Sequence, residues 1–391
     1  MTSPQIALLA AFPFPAPLGS QHYFGEQARA LVDAGARVTL FCYASGEGAA
    51  PPGTQTVRAP RALSPRALRA GPNLGKPFAD TALAGTFLRH ARSAAFDAVL
   101  AHNAEAAAIA LAARVAGGPP VVYVAHTLLG RELDAWFPQW LAGPVEAAGT
   151  RADRFLAARA DAVLVLCQEA AEALGPHARG PIETVPPGHR NEPEPTFEQR
   201  TRACARAGVE PGKFALYTGN VERYQELPVL AAAARLAPEL PVVVATHGEA
   251  RFEAPNVRCV HAMPEEARAL AHASAVTLVT RRRQGGFPIK LLQYMEAGCA
   301  IVAREGIADT LRHDQDAWLL PRDAGAAAFG QAMRTLQGDP ERRARLGRAA
   351  RETLATHHDW QALAHRTLAL AEEAHRVTLR ARNLARRSPP S

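Results

Sequence analysis

Lysine is nearly missing from this 391-residue chain: among 44 Lys and Arg residues only Lys76, Lys213 and Lys290 are lysines. So heavy a bias to arginine, beside abundant alanine, reads as genomic base composition and not as selection for a polyanion. The formal net charge is +7, yet Arg376, Arg380, Arg382, Arg386 and Arg387 all follow the last acidic residue, Glu373. Much of the excess therefore belongs to a short tail. Aromatic residues make up 6% of the chain and the tail has none, so the basic-plus-aromatic signature of a nucleic-acid module is missing. No run approaches the roughly 18 uncharged apolar residues that cross a bilayer. Residues 1–11 have no basic n-region, and a secretory signal is not expected. Cysteine is scarce and odd in number (Cys42, Cys167, Cys204, Cys259 and Cys299) with no CxxC, which excludes a disulfide frame or zinc ribbon and fits reduced thiols in the cytoplasm. What remains, 48% hydrophobic and 21% charged, is globular. At roughly 150 residues per domain the length allows two or three domains.

Short apolar runs alternate with amphipathic stretches throughout, the pattern of parallel α/β sheets. Strands are predicted at 5–11, 37–43, 98–102, 121–126, 162–167 and 182–185, with helices at 22–34, 104–116, 151–160 and 169–174. After Pro186-Pro187-Gly188 a second series starts, with strands at 214–218, 242–246, 257–260, 276–280 and 300–303. Residues 44–80, rich in Pro, Gly and Arg, read as a long irregular insertion, and 360–387 as one or two terminal helices. The expected organisation is a first Rossmann-like domain over 1–190, a linker at 191–212, a second domain over 213–357, and a returning helix with a basic tail over 358–391.

In doubly wound sheets ligands bind beyond the carboxyl ends of the strands, where helix N-termini hold anions. Three places there stand out. Pro17-Leu18-Gly19-Ser20 joins the first strand to a helix, and Gly19 lets backbone approach a ligand; an ordinary turn would look the same. His126 ends the strand Val121-Val122-Tyr123-Val124-Ala125, where an imidazole can bond a hydroxyl or phosphate. The most informative stretch runs from Thr280 to Gly298. Arg281, Arg282 and Arg283 are followed by Gly285-Gly286-Phe287-Pro288 and then by a helix with Lys290 and Gln293 on one face. Gly298 can end that helix in the left-handed conformation. Backbone N–H groups and cations at one strand end suit a diphosphate. A solvated basic loop is the plainer reading for the arginines, but Lys290 resists it because lysine is so rare here.

This stretch resembles the donor site of family 4 glycosyltransferases of the GT-B fold, whose pattern is Glu-Gly-Phe-x(5)-Leu-Glu-x-Met-x-x-Gly. Other segments agree in order. Pro17 to Ser20 is similar to the family's N-terminal glycine loop, and Val121 to His126 to the strand ending in the active-site histidine. Residues 182–188 resemble the interdomain segment, Tyr217-Thr218-Gly219-Asn220 the strand opening the donor domain, and Trp360 the residue before the helix that crosses back. Residues 126–140, with Glu132, and 152–166 resemble a bacterial subgroup with a GFPxKLL-x-YM donor motif. The resemblance implies an α/β GT-B fold: two doubly wound domains facing across a cleft. It also implies transfer of a sugar, with retention, from a nucleoside-diphosphate sugar to a glycan, lipid-linked or small-molecule acceptor, as in cell-surface glycan synthesis. His126 would act near the sugar. Gly19, Asn220, Arg223, Arg281, Gly285, Gly286, Phe287, Lys290 and Gln293 would bind the donor. No metal or other cofactor and no nucleic acid is implied.

The chain departs from the family where charge matters. The two glutamates of the pattern fall on Gly285 and Gln293, and the phosphate-binding Arg and Lys of the second domain's first loop on Asn220 and Gln225. Arg223, Arg281 and Lys290 are candidates to replace the lost positive charge. The losses also suit an alternative, a catalytically impaired GT-B protein that binds nucleotide or glycan or serves as a scaffold. The expected location is the cytoplasm. The tail 376–391 is either a solvated helix end or a peripheral contact with anionic lipid at the inner face of the membrane. Three look-alikes are set aside. Gly46-Glu47-Gly48 lacks the third glycine and the following helix of a dinucleotide fingerprint, and residues 71–76 run into Pro77 where a P-loop needs Ser or Thr. Asp314-Gln315-Asp316 mimics a metal-binding DxD but is read as a turn.

Overall fold

The computed structural model describes residues 3–16, 18–61, 75–281 and 286–387, with backbone alone for 134–135 and 380–387. The chain forms two compact units. One comprises the chain up to Gly188, together with Gly286, Phe287 and the segment from Trp360; the other comprises His189 onward to Asp359 without that short excursion.

The first unit is built on seven parallel strands: β1 (Gln5–Ala10), β2 (Arg37–Cys42), β3 (Thr54–Arg58), β4 (Ala98–His102), β5 (Val121–Ala125), β6 (Ala162–Val165) and β7 (Ile182–Thr184). Their order is β3-β2-β1-β4-β5-β6-β7. The second has β8 (Ala215–Thr218), β9 (Val242–Thr246), β10 (Val257–His261), β11 (Val276–Val279), β12 (Ala300–Arg304) and β13 (Trp318–Leu320), ordered β10-β9-β8-β11-β12-β13. Both sheets are doubly wound, and the order reverses beside β1 and β4 in one and beside β8 and β11 in the other. Parallel strands with helices on both faces must be apolar throughout, and β4, β5, β6, β8, β9, β11 and β12 are buried along their whole length.

The structure differs from the sequence reading in three places. Residues 44–80 are not irregular throughout: β3 lies on the sheet edge, and the helix Lys76–Ser93 begins inside this stretch. The polar sequence Thr-Gln-Thr-Val-Arg gives no apolar run, because an edge strand need bury little. Residues 318–320, where no strand is predicted, pair with β12 as β13. The expected linker 191–212 holds the helix Phe197–Ala207, opened by a Thr196–Gln199 capping box and packed on the helix Pro264–Ala273.

The terminal segment is one helix, Trp360–Arg387, docked on β4, β5, β6 and the helix Gly19–Asp33 of the first unit. Its buried residues Trp360, Leu363, Ala364, Thr367, Leu370, Ala371 and Ala374 recur at helical spacing, the stripe a single docked face requires. Trp360 lies against Tyr23, ring centroids 5.7 Å apart, and against Gly188. A Cβ on Gly188 would come within 2.4 Å of the Trp360 ring. Gly188→Ala is therefore expected to overpack this joint and cost about 1–3 kcal/mol, read as a lowered denaturant midpoint.

Candidate functional site

In the first unit two imidazoles meet at adjacent strand ends. His102 is the last residue of β4 and fully buried; His126 directly follows β5 and is 5% exposed. His102 Nδ1 and His126 Nε2 are 2.7 Å apart, with the rings nearly perpendicular. Tyr23 packs edge-on to His126 at 4.9 Å between centroids, and Phe24 edge-on to His102 at 4.8 Å. Burial pushes His126 down to about 3; burial, and then the charge of His126, pushes His102 well below the ordinary range. Both rings are neutral at neutral pH, so a single N–H serves the bond between them. The outer nitrogens, His126 Nδ1 and His102 Nε2, are buried with no protein partner. One of them must then be a donor and the other an acceptor, and the roles exchange when the shared proton crosses while one outer nitrogen gives up a proton and the other gains one. Such a pair can present either character to a hydroxyl.

The loop after His126 is held from behind. Asp153, buried in the helix Ala142–Ala157, accepts from Tyr123 Oη at 3.2 Å and from Gly130 N at 3.1 Å. Burial raises its carboxyl to about 6 despite those donors. Thr127 pairs with Gly286 in an antiparallel bridge, and a Cβ on Gly286 would meet His126 O at 2.3 Å. Only glycine permits that approach. Phe287 beside it is buried.

In the second unit the carboxyl ends of β8 and β11 carry the cations. Thr218 ends β8, and its N–H donates to Tyr294 Oη at 2.7 Å. The chain then turns at Gly219, with φ near 123°, into exposed Asn220. Asn220 O accepts from Tyr217 Oη at 2.7 Å, and Asn220 Nδ2 donates to Tyr224 Oη at 2.7 Å. Lys290 Nζ lies 3.8 Å over the Tyr217 ring and donates to Gln225 Oε1 at 3.1 Å. The Arg281 guanidinium stands 5.3 Å over the Tyr224 ring. Burial, and then the charge of Arg281, pushes the Lys290 ammonium well below the usual lysine range. A dianion arriving here would reverse that pressure.

Of the residues singled out in the sequence, Asn220, Arg281 and Lys290 are thus gathered around Tyr217 and Tyr224. Arg223 is exposed in the short turn Arg223–Gln225. Gln293 is half-buried on the helix Lys290–Ala297, which Gly298 closes in the left-handed conformation. That helix starts at Lys290 itself. In the first unit Gly19 opens an exposed helix turn, one turn ahead of Tyr23. Pro17, Arg282, Arg283, Gln284 and Gly285 lie outside the described residues. His102 was missed, although the argument that singled out His126, a histidine at a strand end, applies to it equally. The DxD-like pair is engaged elsewhere: Asp314 is ion-paired with Arg342 and Arg345, and Asp316 accepts from Arg312 N and Thr353 Oγ1. Among the described residues no group of three His, Cys, Asp or Glu is arranged to hold a metal ion.

Two doubly wound units, each with its polar side chains at the carboxyl strand ends, define a GT-B architecture. Residues 19–188 match the family described as "Glycosyl transferase 4-like domain" and residues 212–339 that described as "Glycosyl transferases group 1". The chain is a family 4-like glycosyltransferase of the GT-B fold. Solved structures agree in fold at low identity. Sucrose-phosphate synthase from Thermosynechococcus elongatus has a TM-score of 0.77 at 17% identity, over 94% of this chain and 98% of that one. Anabaena Alr3699/HepE in complex with UDP-glucose has 0.69 at 16%, over 93% and 99%. WaaG, a glycosyltransferase involved in lipopolysaccharide biosynthesis, has 0.67 at 17%, over 93% and 98%. No curated protein matches the sequence.

The histidine pair sets an acid limit. His126 binds a proton only near pH 3 when folded but near 6.5 when unfolded, so stability is full above about 6.5 and falls as pH drops toward 3. His126→Gln should lose less stability than the natural chain between about pH 7 and about pH 4.5, measured by urea denaturation; equal losses would contradict the assignment.

Proposed function

We propose that this chain transfers a sugar from a nucleoside-diphosphate sugar, with retention of configuration. The observation that carries the reading is the Lys290 ammonium, held by Gln225 and Tyr217 beside Arg281 at the ends of β8 and β11. It stands where the chain has given up the cations of its family pattern, Asn220 and Gln225 filling those positions. A diphosphate binding here meets Lys290, Arg281 and the Gly219–Asn220 turn. Charge that grows on the leaving phosphate as the sugar departs is then stabilised by cations already in place. We take Arg223, exposed on the same loop, and the 285–287 segment as further donor contacts, and Gln293 as a neutral hydrogen-bonding partner for ribose. His126, paired with His102, offers Nδ1 to a sugar hydroxyl. Side-chain cations meet the phosphate charge, and the aspartates of the DxD-like turn are engaged, Asp314 by Arg342 and Arg345 and Asp316 by Arg312 N and Thr353, so we propose a transfer that needs no metal.

Because a protein similar in fold was solved with UDP-glucose, UDP is the first probe. Thermal shift with UDP, GDP, ADP and CMP identifies the base, and hydrolysis of the matching hexose donors tests turnover. Lys290→Ala is expected to weaken binding of the stabilising nucleoside diphosphate about tenfold while leaving its nucleoside unaffected. Unchanged diphosphate affinity would remove Lys290 from the site. A second reading, a binding or scaffold protein on the same fold, is favoured by Gln293 and Gly285 where the family has glutamates. Saturable binding without hydrolysis or transfer would select it.

No helix among the described residues is long and apolar enough to cross a membrane. All five cysteines are free and four are buried, which supports the cytoplasm as the location. The acceptor class, whether glycan, lipid-linked or small molecule, is open to direct assay. In the tail, Arg376 pairs with Glu373 at 3.1 Å, so its charge is already answered within the helix. We therefore propose that the tail is a solvated helix end. Vesicles containing anionic lipid should sediment the chain equally with and without residues 376–391.

A further inference from the structure

The most deeply buried cation of the second unit belongs to no part of the site described so far. Arg304 ends β12 with 0% exposure. Its Nε and Nη2 donate to Ala324 O at 3.0 and 2.8 Å, and its Nη1 donates to Thr280 O and lies 2.8 Å from Glu226 Oε2. Glu226 has φ near +52°, a left-handed conformation that a side chain with a Cβ rarely takes. It follows Gln225, the residue that accepts from Lys290, and Thr280 Oγ1 donates to Gln225 O at 2.6 Å. The bonds close a ring: Arg304 grips Glu226 and Thr280, and Thr280 grips Gln225 between them.

Resting on the donor-site reading above, we propose that Arg304 is a positioning residue for the donor diphosphate, acting through the Gln225–Glu226 corner. Two physical effects follow from the geometry. With its Nε and Nη2 fixed on Ala324 O, the guanidinium sets Nη1 against the Glu226 carboxylate and Thr280 O, which holds Glu226 in its unfavourable backbone state, directs the Gln225 side chain at Lys290 and keeps the ammonium over Tyr217. It also pairs the Glu226 carboxylate. A guanidinium at that carboxylate, one residue from Gln225, lessens the negative charge that an incoming dianion meets. A lysine could pair the charge but not form the fork, since three of the contacts use separate N–H groups in one plane.

The test is calorimetric titration of the full chain with UDP and, as the control lacking phosphate, uridine. Arg304→Met is expected to lower UDP affinity about tenfold and leave uridine affinity unchanged. Arg304→Lys should fall between that variant and the natural chain. Adding Glu226→Gly to Arg304→Met should recover at least about half of the loss on a logarithmic scale, because glycine takes the left-handed state freely and brings no carboxylate. Equal losses for UDP and uridine, or no recovery in the double variant, would make Arg304 a mere core residue and overturn the proposal. Should Arg304→Met not fold, Thr280→Val severs the same ring at the Gln225 carbonyl. It should cost UDP about threefold and uridine nothing, and unchanged UDP affinity would overturn the proposal equally. Failure of the natural chain to bind UDP, GDP or ADP at all would instead reject the donor-site reading itself.

Discussion

A parallel strand buried on both faces leaves little room for a polar side chain except at its ends, Thr277 inside β11 being the exception, and the arrangement of this protein follows from that. Among the buried polar residues, His102, Thr218, Thr246 and Arg304 close β4, β8, β9 and β12, while His126 and Thr280 come one residue after β5 and β11. All six sit at carboxyl ends. Asp161, at the opposite end of β6, shows what the other edge is for: it accepts from Val121 N at 3.0 Å and pairs with Arg114 at 2.6 Å, tying strand starts together. The carboxyl edges gather the candidate site together with fastening bonds such as those of Arg304, while Asp161 only fastens.

The same constraint decides what a reader of the sequence can recover. The interior strands announce themselves as apolar runs because both faces are covered, and the His126 strand is found at once. An edge strand such as β3 carries no such signal, since Thr54, Gln55 and Arg58 need not be buried. Within the site, Lys290 is legible through rarity and through its place before a helix. Its dependence on Gln225 and Tyr217 is not, because sequence distance hides which loop folds over which strand end. Arg304 is hidden for another reason: in an arginine-rich chain one more arginine draws no notice until its burial is known.

Two kinds of buried base do different work here. The imidazoles give up their charge to desolvation and keep a directional pair of nitrogens, suited to hydroxyl groups. The ammonium of Lys290 is strained toward losing its proton by burial and by Arg281, and an anion is what would restore it. Neutral pair and strained cation belong to separate units of the chain, each assembled from its own strand ends. Where the family pattern offers fixed arginine and lysine on one loop, this chain holds a single lysine from a helix and secures it through Gln225. That is a longer chain of dependence, in which buried bonds fix where the lysine stands.

The helix Trp360–Arg387 gives the fold a temporal order as well as a spatial one. It belongs to the first unit by its buried stripe and by the Trp360–Gly188 joint, yet it leaves the ribosome after the second unit. The second unit, between His189 and Asp359, has all its strands in hand before that helix exists. During synthesis the first sheet must therefore wait, with one flank open beside β4, β5 and β6, until that helix emerges to cover it. The unit translated first is the one completed last.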